Sequence, residues 1–431
     1  DEIKDGGMLD EFYLKTGDET HAFLKEHYGE SVADEAVTNT AHIARTCENA
    51  TYLKPEGHLL PVFPVKDEDD YEEFLKWRAS NKGAESLPED AAFMRFRCFK
   101  GFAKKFAGMQ ADELKKRWDR VRHEVDILER NHFSSYMLVV SDFIRWAKAN
   151  DILVGPGRGS VGGSLVAYLL DIHMVDPFEY GLLFERFQNA EKKDLPDIDT
   201  DFASAGLEAV KEYVRKKYGH DNCAQVSNII TYSPKTAIAD LARSLRIGDN
   251  SGDGKNYFQI AAEIKNSIPE MDAEGKSVST IGQALAASPK IREFAQEYPD
   301  LIKYAKNFVG LEKEFGTHAA GMVVCDRPIH DFAPLRIDKH GAVAVQCEKE
   351  QCEERGLVKM DFLGLSTLDV IDEALKNIRK LGKGGPVCLE DIPLDDGPTY
   401  EMISQGLTRC VFQLGKNTMA MALCRRVRPK N

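Results

Sequence analysis

The run Asp197-Ile198-Asp199-Thr200-Asp201 carries the densest chemistry in this sequence. In a strand, side chains alternate between faces. Asp197, Asp199 and Asp201 then share one face, with Ile198 and Thr200 on the other. Carboxylates crowded on one face repel each other, and a bound divalent cation removes that repulsion. Two cations roughly 3.5–4 Å apart suit carboxylates at i and i+2, because the strand repeat brings both within reach of a shared site. The rival reading of this segment alone is an acidic, solvent-facing strand edge or loop.

A second candidate is Gly155-Pro156-Gly157-Arg158-Gly159-Ser160-Val161-Gly162-Gly163-Ser164, between the apolar Ile152-Leu153-Val154 and a helical stretch. Such a turn offers unobstructed backbone N–H groups and a helix N-terminus to an anion, and Arg158 and Ser160 add donors. Gly157, Gly159 and Gly162 also fit GxGxxG, so a dinucleotide-binding loop is a rival. That rival needs an acidic residue at the end of a second strand, and Asp176-Pro177 reads as a loop instead. No Gly-Lys-Ser/Thr follows, which excludes a Walker A loop. A purely structural glycine turn is the third reading. The third candidate is Leu357-Val358-Lys359-Met360-Asp361-Phe362-Leu363-Gly364, where a strand places Lys359 and Asp361 on one face. A lone Asp at a strand end is otherwise a cap or turn residue.

The elements that must hold these residues follow from periodicity. Helical spacing is clearest over Thr20–Tyr28, Ser31–Glu48, Lys115–Arg130, Tyr136–Ala149, Ala205–Tyr218 and residues 366–381. Ser164–Leu170 reads as a buried helix, and 225–310 as mostly helical, broken by a polar loop at 248–254. Strands are expected at Ile152–Val154, Asp197–Phe202, Gly321–Cys325, Ala342–Gln346 and Leu357–Asp361. Pro61 and Pro64 make Leu59–Val65 an extended connector. Asp249–Gly254 looks like the start of a calcium loop, but its twelfth position is Ile260, so it is read as a linker.

The chain has 431 residues, 43% hydrophobic and 29% charged. That length suggests several structural units of ordinary globular composition. No stretch approaches the ~18 apolar residues of a membrane helix, and no signal peptide is expected from the opening residues. The nine cysteines are scattered and form no CxxC pair. A reducing cytoplasmic setting is therefore expected, without a zinc site or disulfide framework. The net charge of −13 opposes nonspecific binding to phosphates. Basic residues cluster locally at Arg95–Lys105, Lys115–Arg117 and beyond Glu401, where the plain reading is a solvated helix face.

Taken together, these segments resemble the bacterial C-family DNA polymerases, the alpha subunits of DNA polymerase III. The resemblance rests on GPGRGSVGGSLVAYLL at 155–170, DPFEYGLLFERF at 176–187, LPDIDTDF at 195–202, THAAGMVV at 317–324, GLVKMDFLGLSTL at 356–368 and CVFQL at 410–414. It implies an α/β (α+β) fold: a mixed-sheet nucleotidyltransferase palm with an inserted helical thumb and flanking helical segments. The implied domains are 1–66 (end of a PHP domain and connector), 67–228 and 311–366 (palm), 229–310 (thumb) and 367–431 (start of the fingers).

The resemblance makes Asp197, Asp199 and Asp361 the metal-binding triad for two Mg2+, with Mn2+ as a substitute. Gly159-Ser160 would hold the incoming triphosphate. Arg158, Arg186 and Lys359 would lie near the triphosphate or primer terminus. Implied partners are primer-template DNA, a dNTP and the remaining polymerase portion on the same or a separate chain. A sliding clamp would be reached only through regions outside this chain, and no membrane is implied. The expected activity is template-directed nucleotidyl transfer. The alternative is a catalytically silent DNA-binding or assembly subunit of a split polymerase. Where the family often reads FQLES, this chain has Phe412-Gln413-Leu414-Gly415-Lys416, so the fingers diverge at their start.

Overall fold

The computed structural model describes residues 15–48, 57–192, 195–247, 256–382, 384–415 and 417–430. The chain divides into two compact units, 1–55 and 56–431. In the first, helices α1 (Gly17–Tyr28) and α2 (Glu30–Cys47) pack on each other across Gly29. Thr16 and Glu19 form a reciprocal capping box that starts α1.

The second unit opens with helices α3 (Tyr71–Ser80), α4 (Glu89–Lys105), α5 (Ala111–Arg130) and α6 (Ser134–Ala149). After the glycine-rich turn come the short helix α7 (Leu165–Leu169), strand β1 (Asp199–Ala203), helix α8 (Leu207–Tyr218) and strand β2 (Cys223–Thr231). Five helices follow: α9 (Pro234–Ser244), α10 (Tyr257–Ser267), α11 (Ile281–Ala287), α12 (Pro289–Glu297) and α13 (Pro299–Phe308). The chain then returns through β3 (Glu312–Val324), β4 (Leu335–Ile337), β5 (Val343–Val345), α14 (Lys349–Glu354) and β6 (Lys359–Leu365). It closes with α15 (Ser366–Leu381), α16 (Gly397–Ser404) and α17 (Thr418–Val427).

The six strands form one mixed sheet in the order β1-β6-β3-β2-β5-β4. β1 runs parallel to β6, whereas β6 and β2 run antiparallel to β3. The α+β expectation therefore holds. Its main local error is at 225–231, expected to be helical but part of β2. Val226, Ile229, Ile230 and Thr231 are β-branched, and a pleated ladder suits their stiff χ1 better than a helix does. β3 is also longer than the expected Gly321–Cys325, since it starts at Glu312 to pair along β2. Ile152–Val154 is reduced to a single bridge, Val154 to Phe202. The polar loop at 248–254 lies outside the described residues.

Three apolar clusters hold the unit. The largest joins α4–α7 and α8 to the back of β1, β3 and β6. Phe143, Phe202 and Phe362 meet there beneath the strand pair, with Phe143 and Phe362 ring centroids 4.8 Å apart. Each such buried ring contributes about 1.5–3 kcal/mol. A second, separate core closes α9–α13 on themselves through Ile238, Ile264, Ile291 and Leu301. A third lies under β2, β3 and β5. Among the described residues no helix is long and apolar enough to cross a membrane.

The basic run of α4 is not a freely solvated face. Arg95 binds Glu129 at 2.6 Å, Arg97 binds Glu68 and Asp70 at 2.8 and 2.6 Å, and Lys105 binds Asp171 at 2.7 Å. Further on, the buried Arg117 reaches Asp176 at 3.2 Å. These ion pairs tie helices and loops together.

Candidate active site

The parallel pairing of β1 and β6 sets Asp199 directly beside Asp361. Alternation then fixes the faces. Thr200, Phe202, Met360 and Phe362 turn into the large core, so Asp199 and Asp361 turn the other way. Asp197 lies just before β1 and joins them: one carboxylate oxygen from each of Asp197, Asp199 and Asp361 falls within 4.8 Å of the others. Asp197 is exposed, Asp199 partly buried, and the Asp361 side chain 10% exposed. Burial, then the charge of Asp197, push the Asp199 carboxyl upward, while Arg158 opposes the shift. Three mutually close carboxylates with hard oxygen donors suit a hard divalent cation such as Mg2+.

Two cationic side chains already answer this charge. Lys359 Nζ sits 2.8 Å from Asp361 Oδ1 and donates to Oδ2 at 2.9 Å. Arg158 reaches over from the glycine-rich turn, 3.5 Å from Asp199 Oδ2 and 3.3 Å from Asp201 Oδ1. Asp201 thus holds the turn through Arg158, and its carbonyl accepts a hydrogen bond from Gly155 N at 2.8 Å. Gly321 faces Asp361 across β3, where a Cβ would lie 2.5 Å from Lys359 Cε. The missing side chain is what lets Lys359 lie over β3. His318 caps this corner: its Nδ1 accepts from Gly321 N at 2.7 Å, and burial plus Lys359 push its pKa down.

The glycine-rich turn lies beside β1. Gly159–Gly163 forms a single-turn helix, with Gly159 at φ +73° and open space where a Cβ would be. Ser160 is partly exposed. The helix N-terminus behind this turn is not free for an anion, contrary to the sequence-based expectation. The Leu165 and Val166 amides of α7 donate to the fully buried Glu124 at 3.1 and 3.0 Å. The Gly157–Ser160 part of the turn is exposed or partly exposed. Arg186 is exposed on a single turn, Phe184–Arg186, packed against Gly159–Gly163. The structure thus brings seven of the eight expected site residues into one contiguous arrangement around β1 and β6, with Arg186 on the flanking turn.

Sequence reasoning missed the supports. Tyr136, 1% exposed, is hydrogen-bonded to the Ile198 backbone between the first two aspartates. His173, also 1% exposed, bonds Ser164 O through Nε2 at 3.0 Å and accepts from Val175 N at 3.3 Å, which fixes its tautomer. Glu124 receives four donors. Nothing in their local patterns separates these side chains from ordinary core positions; the one available signal was a charged Glu124 on the otherwise apolar stripe Val121-Val125-Leu128 of α5.

Comparison with known proteins shows the family of the chain. The model of the bacterial DNA polymerase III alpha NTPase domain matches residues 92–364, and that of the bacterial DNA polymerase III alpha subunit finger domain matches residues 367–431. The chain belongs to the bacterial DNA polymerase III alpha family. Similar curated proteins include DNA polymerase III subunit alpha of Aquifex aeolicus (strain VF5), 35% identical over 89% of this chain and 32% of the relative. That of Thermus aquaticus is 34% identical over 98% and 36%. That of Escherichia coli (strain K12) is 36% identical over 99% and 35%. The chain spans about a third of the length of the curated relatives it matches. Family membership implies the use of divalent metal, and the Asp triad is present to receive it.

Proposed function

We propose that this chain is the catalytic portion of a template-directed DNA polymerase, transferring a nucleotidyl group from a dNTP to a primer 3′-hydroxyl. One observation carries the reading: Asp197, Asp199 and Asp361 converge on the open face of the sheet beside the Gly159-Ser160 turn. In this reading the sheet body (67–228 and 311–366) is the palm, the helices between β2 and β3 are the thumb, and residues after 366 begin the fingers. The first 66 residues end a PHP domain and its connector. The protein works in the cytoplasm, with primer-template DNA, a dNTP and the remaining polymerase portion as its partners.

The three aspartates would hold two Mg2+ ions, or Mn2+ in their place. Bound there, such ions supply Lewis-acid activation of the attacking oxygen and charge neutralisation at the leaving phosphates. The chain's own residues do the positioning. The Gly159 and Ser160 amides and the Ser160 hydroxyl offer donors to the triphosphate. Lys359 pairs with Asp361, and Arg158 with Asp199 and Asp201. Arg158 on the turn and Lys359 on β6 would both lie within reach of a phosphate held beside the triad. Arg186, exposed on the turn packed against Gly159–Gly163, would add a further cation near the triphosphate.

The test is direct. Asp197→Ala and Asp199→Ala in the complete polymerase are expected to abolish primer extension while the circular dichroism spectrum stays unchanged. Extension at the parental rate would end the assignment. Calorimetric titration of this chain with Mn2+ and a dNTP separates the alternative: binding supports the catalytic reading, and its absence favours a silent DNA-binding or assembly subunit.

A further inference from the structure

Arg120 and Glu124 stand one turn apart on α5, well before the Gly159-Ser160 turn and the three aspartates in sequence. Glu124 is fully buried, and its carboxylate accepts four hydrogen bonds. Oε1 takes Arg120 Nε at 2.6 Å and Leu165 N at 3.1 Å; Oε2 takes Ser164 Oγ at 2.9 Å and Val166 N at 3.0 Å. Arg120 extends the link outward. Its Nη2 donates to Gly163 O at 2.9 Å and to Leu182 O at 3.4 Å. One ion pair therefore grips both ends of the contact between the Gly159–Gly163 turn and the 182–186 turn. These two turns touch closely, since a Cβ on Gly163 would lie 2.4 Å from Leu183 O.

A buried carboxylate is costly to desolvate, and burial does push the Glu124 carboxyl upward. An apolar side chain on this stripe of α5 would fill the same space without that cost, but it could not receive amides from the next helix or align Arg120. The pair's distinctive contribution is geometric: it fixes where the two turns sit relative to the sheet.

We infer that Arg120 and Glu124 are positioning residues that hold the Gly159-Ser160 turn and the Arg186 turn at the spacing a triphosphate requires. This rests on the reading of Gly159-Ser160 as the triphosphate-binding turn. Neither side chain is within the aspartate cluster, so the inference separates two affinities. Metal binding at the triad should not depend on the pair, whereas nucleotide binding should.

The experiment is isothermal titration of the full chain with Mn2+ alone, then with dATP in excess Mn2+, for the parent, Glu124→Gln, Arg120→Lys and Arg120→Met. Glu124→Gln replaces one doubly accepting oxygen with a donor amide. Arg120→Lys keeps the charge but loses the fork that joins Gly163 O to Leu182 O. The expected result is unchanged Mn2+ affinity and a loss of about tenfold in dATP affinity, as for other outer-shell supports. Arg120→Lys should fall between the parent and Arg120→Met. A parent that binds dATP while the folded variants bind it equally well overturns the inference alone. Parallel losses of Mn2+ affinity, dATP affinity and melting temperature overturn it in favour of a merely structural role. A parent that binds neither Mn2+ nor dATP overturns both the site reading and the inference. If Glu124→Gln does not fold, the two Arg120 variants decide, because Arg120 is 22% exposed and tolerates change better.

Discussion

At the scale of single residues, the aspartate cluster is balanced by cations that the chain itself supplies. Lys359 contacts both oxygens of Asp361, so it competes with any metal for the same charge. Lys359→Gln is expected to raise Mn2+ affinity several-fold in the absence of nucleotide, measured by electron paramagnetic resonance of free Mn2+. An unchanged or lower affinity would show that the amine is no competitor. His173 sets a pH dependence. Burial pushes its pKa down from 6.5 to about 4. Between those values the unfolded chain takes up a proton that the folded chain refuses. The neutral ring's contribution to stability is therefore full above pH 6.5 and lost as pH falls toward 4. The span corresponds to roughly 3 kcal/mol. Urea unfolding of the parent and His173→Asn should show their stability difference shrinking across this window; a constant difference would refute the account.

At the scale of elements, the site depends on how a strand pair and a turn meet. Gly157 shows the tolerance. Its φ is +117°, and a Cβ there would lie 2.6 Å from His173 Cβ. Gly157→Ala combines a disfavoured backbone region with a clash against a buried side chain. It should destabilise the protein by about 2 kcal/mol or more, and a thermal melt within a degree of the parent's would contradict this. The sequence made the turn and both acidic strands visible, because glycines, alternating carboxylates and apolar runs are local signals. It hid β2, whose Val226, Ile229 and Ile230 fit either a helix or a strand until β3 is alongside. It also hid Tyr136, His173 and Glu124, whose roles depend on partners in other elements.

At the scale of the molecule, the second apolar core belongs to α9–α13 alone. The strands on either side close on each other: Tyr232 N donates to Leu311 O and Gly310 N to Tyr232 O, both at 2.9 Å. Replacing residues 233–309 with a short glycine-containing turn should therefore leave a cooperatively folding sheet body that still binds Mn2+. Loss of either property would mean that the helical insertion is needed to hold the sheet. Primer-template affinity is expected to fall, because the thumb reading puts part of the DNA contact on those helices; fluorescence anisotropy with a labelled duplex measures it.

The sequence alone determined which residues could carry the chemistry. Carboxylates at i and i+2 and a Gly-Arg-Gly-Ser turn are fixed by residue type and spacing, and the order of segments sufficed for the family resemblance. The resemblance named Asp361 as the third acid, but only the tertiary structure decided how it reaches the other two. That requires β6 to pair parallel with β1 across a long helical insertion, a contact set by burial of Phe143, Phe202 and Phe362 on the far face. Only it decided that Glu124 occupies the α7 N-terminus and takes the Leu165 and Val166 amides. Local patterns report the faces of an element; which faces meet depends on packing between segments far apart in the chain.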